Sequence, residues 1–206
     1  MRRSGAIVAL LAVTADAALL HFWSGSLGPL YGIRLAVGIT ALGILIGSGT
    51  PRERVGLCFH PCRTDFRWIG ICSITIVGLY GIYLALVSVY PTTLGIDFSD
   101  PEGAWNYLWT ALLLAPLAEE ILYRGVVVPA LQESFPAWMV IVASGILFYL
   151  LHLSYGKDWR LLHYIPAGMI LTWAFLATKQ LWVPILLHFL GNVLMGVDDL
   201  TRLLSK

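Results

Sequence analysis

Four apolar segments in the second half of this sequence carry polar groups of the kinds that move protons. Glu119, Glu120 and Arg124 fall within the run 104–131, His152 near the end of 137–153, His163 at the start of 161–178, and His188 and Asn192 within 181–197. Ionisable groups inside a membrane cost roughly 3 kcal/mol or more apiece, so each needs a reason. A carboxylate, two imidazoles and an amide can make a general base, its partner and an oxyanion site. Spacing sharpens the reading. Glu120 and Arg124 are four apart, so they share a helix face and can form an ion pair. Glu119 is rotated about 100° from Glu120 and is left to face a cavity. His188 and Asn192 stand one above the other, i and i+4, and Phe148 and His152 repeat that relation, with the ring able to pack against the imidazole. Singly, each group also has a structural reading: Glu120 and Arg124 as a charge cluster locking helices together, each histidine as a helix–helix hydrogen bond. Three helices each offering a proton-handling or donor group favour chemistry.

The elements that must position these groups follow from composition. Of 206 residues 58% are hydrophobic and 12% charged, against about 25% charged in soluble domains. A soluble globule of this size could not hide so much apolar surface. Hydrophobicity excludes disorder, three cysteines exclude a disulfide scaffold, and a net charge of +1 provides no field to attract nucleic acid. The chain reads as an integral membrane protein whose first partner is the lipid bilayer. It reads as a single integral-membrane domain over 1–206, with no room for a soluble domain beside it. Spanning a bilayer takes roughly 20 mostly apolar residues, and about seven stretches qualify: 5–23, 28–47, 68–90, 104–131, 137–153, 161–178 and 181–197. Breaks fall at Gly49-Thr50-Pro51, Tyr90-Pro91, Asp100-Pro101, Phe135-Pro136 and Gly156-Lys157-Asp158. The alternating runs of a β-barrel are missing. The expected architecture is all-α, a polytopic transmembrane helical bundle with its catalytic core in the last four spans.

Met1-Arg2-Arg3 followed by an apolar run imitates a secretory signal peptide, but the further spans favour an uncleaved first helix. Arg2 and Arg3 precede the first span, and Arg52, Arg54, Arg63 and Arg67 separate the second from the third. The loop 91–103 carries only Asp97, Asp100 and Glu102. All three loops place the N-terminus in the cytoplasm, as expected of a multi-pass cell-membrane protein. Cys58-Phe59-His60-Pro61-Cys62 has the look of a metal knuckle, but tetrahedral coordination needs four ligands and Cys72 is the only other thiol. It reads as a solvated loop with reduced thiols. Asp16 and Arg34 stand at matching depth in the first two spans, ~9 Å below one surface, and are expected to pair and pin that hairpin without taking part in chemistry.

The motif residues also resemble a family. Glu119-Glu120-Ile121-Leu122-Tyr123-Arg124 is similar to the EExxxR motif of the CPBP family, the CaaX-protease and bacteriocin-processing proteins. Phe148-Tyr149-Leu150-Leu151-His152 matches that family's FxxxH. The apolar run from Leu181 to Leu187 leads into His188-Phe189-Leu190-Gly191-Asn192, matching its HxxxN. Three such motifs in order, each on a span, make a specific resemblance over roughly 105–197. It implies a CPBP-like catalytic core at 104–197 after variable N-terminal spans at 1–103. It further implies an intramembrane glutamic endopeptidase in which Glu119 activates water and His152 holds and polarises it. His188 and Asn192 would stabilise the oxyanion, while Glu120 and Arg124 brace the site. Family members process prenylated tails, peptide precursors or C-terminal anchors. The implied substrate is therefore a peptide or protein with a hydrophobic segment, and no cofactor is expected.

Other chemistries remain open on the residues. Glu119, His152 and His188 could ligate zinc, although HExxH is missing. Ser144, Ser154 and Cys72 lack a nucleophile motif. Glu, His and Arg in a bundle could line a transporter path, although inverted repeats are not seen. A peptide-binding immunity factor is the non-catalytic alternative.

Overall fold

The computed structural model describes residues 2–23, 27–89, 105, 108–153 and 159–204, and these contain helices and no strand. Seven helical runs follow in order among them: α1 (Arg2–Phe22), α2 (Leu27–Gly47), α3 (Arg63–Val89), α4 (108–132), α5 (Ala137–His152), α6 (Tyr164–Thr178) and α7 (Trp182–Leu204). Four helical segments are long and apolar enough to cross a membrane by themselves: Ser4–Phe22, Gly28–Gly47, Arg63–Ala85 and Leu161–Thr178. Ala137–His152 and Trp182–Gly196 are shorter apolar helices. The seven expected apolar stretches thus appear as seven helical runs of unequal length. The acidic loop 91–103, Ser154 and the break at 156–158 lie outside the described residues.

The fourth run is not a uniform α-helix. Its turns widen over Leu108–Leu114, return to α-helical over Ala115–Glu120, widen again over Ile121–Val127 and close as α-helix over Val128–Gln132. Two prolines account for this. Proline lacks an N–H and its ring clashes with the carbonyl four residues earlier. Counting back from Pro116 and Pro129 leads to Leu112 and Gly125, each inside a widened stretch. Such stretches recur at functional sites, and here they bracket Glu119 and Glu120.

Packing brings α4 into the middle. α1 and α2 lie against one flank of it and α7 against another. Gly38 lets α2 approach, since a Cβ there would come 3.2 Å from Ile121 Cγ2 and 3.6 Å from the Ala118 carbonyl oxygen. Arg34, one helical turn earlier, shares that face. α5 and α6 cross more closely still. A Cβ on Gly168 would lie 2.9 Å from Phe148 Cβ, and one on Gly145 would lie 2.7 Å from the Ile165 oxygen. Without a hydrophobic drive between helices in lipid, small residues that allow such contact are the packing device. A polar clasp reinforces the crossing, with the Thr172 hydroxyl 2.9 Å from both Ser144 Oγ and the Gly168 oxygen.

Loop 50–62 is tied down at its middle and at its C-terminal end. Gly56, at φ +74°, puts its backbone against the α6–α7 turn, where Leu181 N–H donates to its oxygen at 3.0 Å. The cysteines serve local structure: Cys58 donates to Glu53 at 3.4 Å, and the Cys62 N–H donates to Asp65 at 2.9 Å at the start of α3. A backbone N–H and the Cys58 thiol hold the Glu53 carboxyl below its usual range.

Candidate functional site

Glu119 and Glu120 are both buried, on the short α-helical segment between the two widened stretches of α4. Their diverging directions send them to different partners. Glu120 Oε1 accepts from Arg124 Nη1 at 2.9 Å, the i,i+4 pair expected from the sequence. The same oxygen lies 2.8 Å from His188 Nδ1, which reaches it from α7. A carboxylate paired with a guanidinium is an acceptor, so the imidazole Nδ1 is the donor. Arg124 extends the brace through Nη2, which donates to the Gly168 oxygen at 2.9 Å and so links α4 to α6. Glu120 and Arg124 therefore hold α4, α6 and α7 together around His188.

Glu119 is not left without a cation, as the sequence had suggested. Arg34 from α2 donates to its Oε1 from Nη1 at 2.9 Å. The other nitrogens of that guanidinium grip Asp16 of α1, Nε at 2.6 Å and Nη2 at 3.0 Å. The expected Asp16–Arg34 pair is present, but it is joined to the site instead of standing apart from it. Tyr123 completes the group by donating to Asp16 Oδ2 at 3.0 Å. The remaining oxygen of Glu119, Oε2, is buried without a hydrogen-bond partner and stands 4.0 Å from His188 Nε2.

His152 is oriented from its own helix. Its Nδ1 lies 2.7 Å from the Phe148 oxygen, an acceptor, so Nε2 is the nitrogen turned to other work. Its ring stacks on Tyr164 with centroids 3.7 Å apart and packs on Phe148 at 4.6 Å. Phe148 is the hub of the cluster. It meets His188 edge-on at 5.8 Å and Tyr123 at 6.0 Å, and carries the Arg124 guanidinium over its face at 5.1 Å. His152 and His188 are both electrostatic neighbours of Glu119.

Asn192 lies one turn beyond His188 on α7, and its Nδ2 donates to the Ala111 oxygen at 2.7 Å. That acceptor belongs to the first widened stretch of α4, so the bond fixes the direction of the amide. Beside these two residues opens a largely apolar cavity of about 100 Å³, walled by Ile76 and Leu79 of α3 and by Leu171 and Leu187. His188, Asn192 and Phe148 reach its surface, while Glu119 and His152 do not line it.

Each sequence-derived site residue thus falls in one constellation built by α4, α5 and α7. His163 packs on Tyr83 and Tyr164 and lines the apolar cavity together with His188 and Asn192. Sequence reasoning missed Arg34 and Asp16 as neighbours of the site, although their charge in apolar runs had marked them. It also missed Tyr123, which lies inside the first motif, and Tyr164, which nothing local could reveal. Among the described residues no group of three or more His, Cys, Asp or Glu side chains is placed to hold a metal ion.

Comparison with known proteins agrees with this picture. Residues 101–194 match the model of the Rce1-like family, the type II CAAX prenyl endopeptidases. The chain is 29% identical over 131 residues to an uncharacterized 24.3 kDa protein of Escherichia coli, a match covering 61% of this chain and 60% of that one. It is 27% identical over 88 residues to a protein of Bacillus subtilis (strain 168) named "Putative membrane peptidase YdiL", covering 43% and 35% respectively. Both matches span less than two thirds of the relative's own length. No solved structure matches the chain. EExxxR, FxxxH and HxxxN all lie inside the matched stretch, so it is over residues 101–194 that this chain is similar to the Rce1-like family.

Proposed function

We propose that this protein is an intramembrane glutamic endopeptidase. The observation that carries the reading is the 4.0 Å gap between Glu119 Oε2 and His188 Nε2, beside an oriented asparagine amide. The gap is too long for a direct hydrogen bond and suits one water oxygen bonded to both groups. Glu119 Oε2, with no other partner, takes a proton from that water as it attacks the scissile carbonyl. His152, braced through Nδ1, helps hold the water. His188 and Asn192 then donate to the oxyanion. Donation from His188 Nε2 requires the doubly protonated ring, whose Nδ1–H faces Glu120 Oε1.

The apolar cavity beside His188 and Asn192 supports a substrate that presents a hydrophobic segment, delivered from the bilayer. The enzyme works in the cell membrane with its N-terminus in the cytoplasm. The core 104–197 carries the reacting groups, and spans 1–103 surround it.

The test uses the purified chain in lipid nanodiscs with two quenched-fluorescent peptides. One ends in a farnesylated CAAX sequence, and the other carries an unmodified apolar segment of roughly 20 residues. Cleavage of either peptide that falls at least ~100-fold in Glu119→Gln supports the reading. Near-native cleavage by folded Glu119→Gln overturns it, and cleavage of neither peptide by the native chain counts against a peptidase.

A further inference from the structure

Resting on the reading of Glu119 as the base, we infer that Arg34 is a positioning residue for that base, held in register by Asp16 and Tyr123. On this account the first two helices take part in the active site. A pair that only pinned α1 to α2 would need the two-pronged contact between Arg34 and Asp16 and nothing more. The guanidinium does more. Nε and Nη2 face Asp16 at 2.6 and 3.0 Å, and Nη1 turns to Glu119 Oε1 at 2.9 Å. All three of its nitrogens are thus engaged, its plane lies over the Tyr31 ring at 4.7 Å, and the residue is 2% exposed.

The geometry has a consequence for Glu119. A carboxylate in a cavity can rotate about its last torsion, which is broad for this side-chain type. Anchoring Oε1 removes that freedom and leaves Oε2 on the side of His188. The anchor is itself fixed, because Asp16 Oδ2 accepts from Tyr123 as well as from Arg34. Tyr123 lies four residues after Glu119 on α4, so the chain of contacts closes on the helix where it began. Gly38 supplies the close approach of α2 to α4 that lets Arg34 reach so far.

A positioning role and a merely structural one differ in what they move. Arg34→Lys keeps the charge but has a single nitrogen, which cannot reproduce the separate contacts of Nε, Nη1 and Nη2. Asp16→Asn keeps the shape but loosens the grip on Arg34. Both should lower kcat ~10-fold or more with KM changed less than about twofold, because a misdirected base acts on the chemical step. Guanidinium ion added to Arg34→Ala should restore at least part of kcat, and should do nothing for Glu119→Gln. Leu45→Ala, a buried packing change in the same hairpin remote from the charges, serves as the control and should lower thermal stability while sparing kcat. If Arg34→Ala does not fold, Arg34→Lys and Asp16→Asn carry the test. Native kcat in folded Arg34→Lys and Asp16→Asn, or a kcat loss that simply tracks thermal stability across all variants including Leu45→Ala, overturns the inference. Native turnover in Glu119→Gln instead removes the reading beneath it, so the two failures are distinguishable.

Discussion

Glu120 and His188 meet across the interface of α4 and α7, with Oε1 and Nδ1 2.8 Å apart. That single oxygen also accepts from Arg124, so one carboxylate orients the imidazole and neutralises the guanidinium together. Removing its charge should disturb both. Glu120→Gln is expected to lower kcat ~10–100-fold by loosening the orientation of His188, the oxyanion donor in the proposed mechanism. A kcat within twofold of native in folded protein would detach Glu120 from the chemistry.

Arg124 should behave differently. It bonds to Glu120 and the Gly168 backbone and lies over the Phe148 ring. Arg124→Ala strands a buried carboxylate, a change that costs about 3–5 kcal/mol. Lower yield and an earlier thermal transition in nanodiscs are expected. Arg124→Ala protein that is as stable as native but inactive would contradict this division between site and brace.

Asn192→Ala should act on the transition state. Loss of one oxyanion donor costs about 3 kcal/mol, or roughly 100-fold in kcat, with KM little changed. The measurement is steady-state kinetics on the cleaved peptide, beside a melting curve that stays near native. A rise in KM at constant kcat would make Asn192 a substrate-binding residue instead.

Strong chelators separate the two water-activating mechanisms. With Glu119 as the base, dialysis against a chelator should leave turnover unchanged. Loss of activity that zinc restores would transfer Glu119, His152 and His188 to a metal-ligand role.

Gly168→Ala tests the α5–α6 crossing. Its Cβ would stand 2.9 Å from Phe148 Cβ and 3.0 Å from the Gly145 Cα, neither of which can swing away. A stability loss of about 1–3 kcal/mol is expected, together with reduced turnover because Phe148 supports both histidines. Gly70→Ala on α3, where nothing lies within 4 Å, is the matched control and should stay within about 0.5 kcal/mol of native. Equal melting temperatures for the two variants would show the crossing to be looser than this.

What the sequence determined by itself was the part governed by local period and solvent. Apolar runs of membrane length specified helices, because backbone groups in lipid must be satisfied within the chain. An i,i+4 spacing was enough for Glu120 with Arg124 and for Phe148 with His152, since the turn of a helix fixes those neighbours. Even the Asp16–Arg34 pair was legible, from matching depth in two successive spans. Only the tertiary structure decided which face each helix presents to the next. Helix rotation and crossing angle are set by side-chain volumes spread over several helices, such as the bare backbones of Gly38, Gly145 and Gly168. For that reason Glu120 on His188, Tyr164 stacked on His152, and Arg34 reaching past Asp16 to Glu119 could not be read from spacing. Each joins residues from different helices, and a rotation of one helix by a single residue, about 100°, would have undone it.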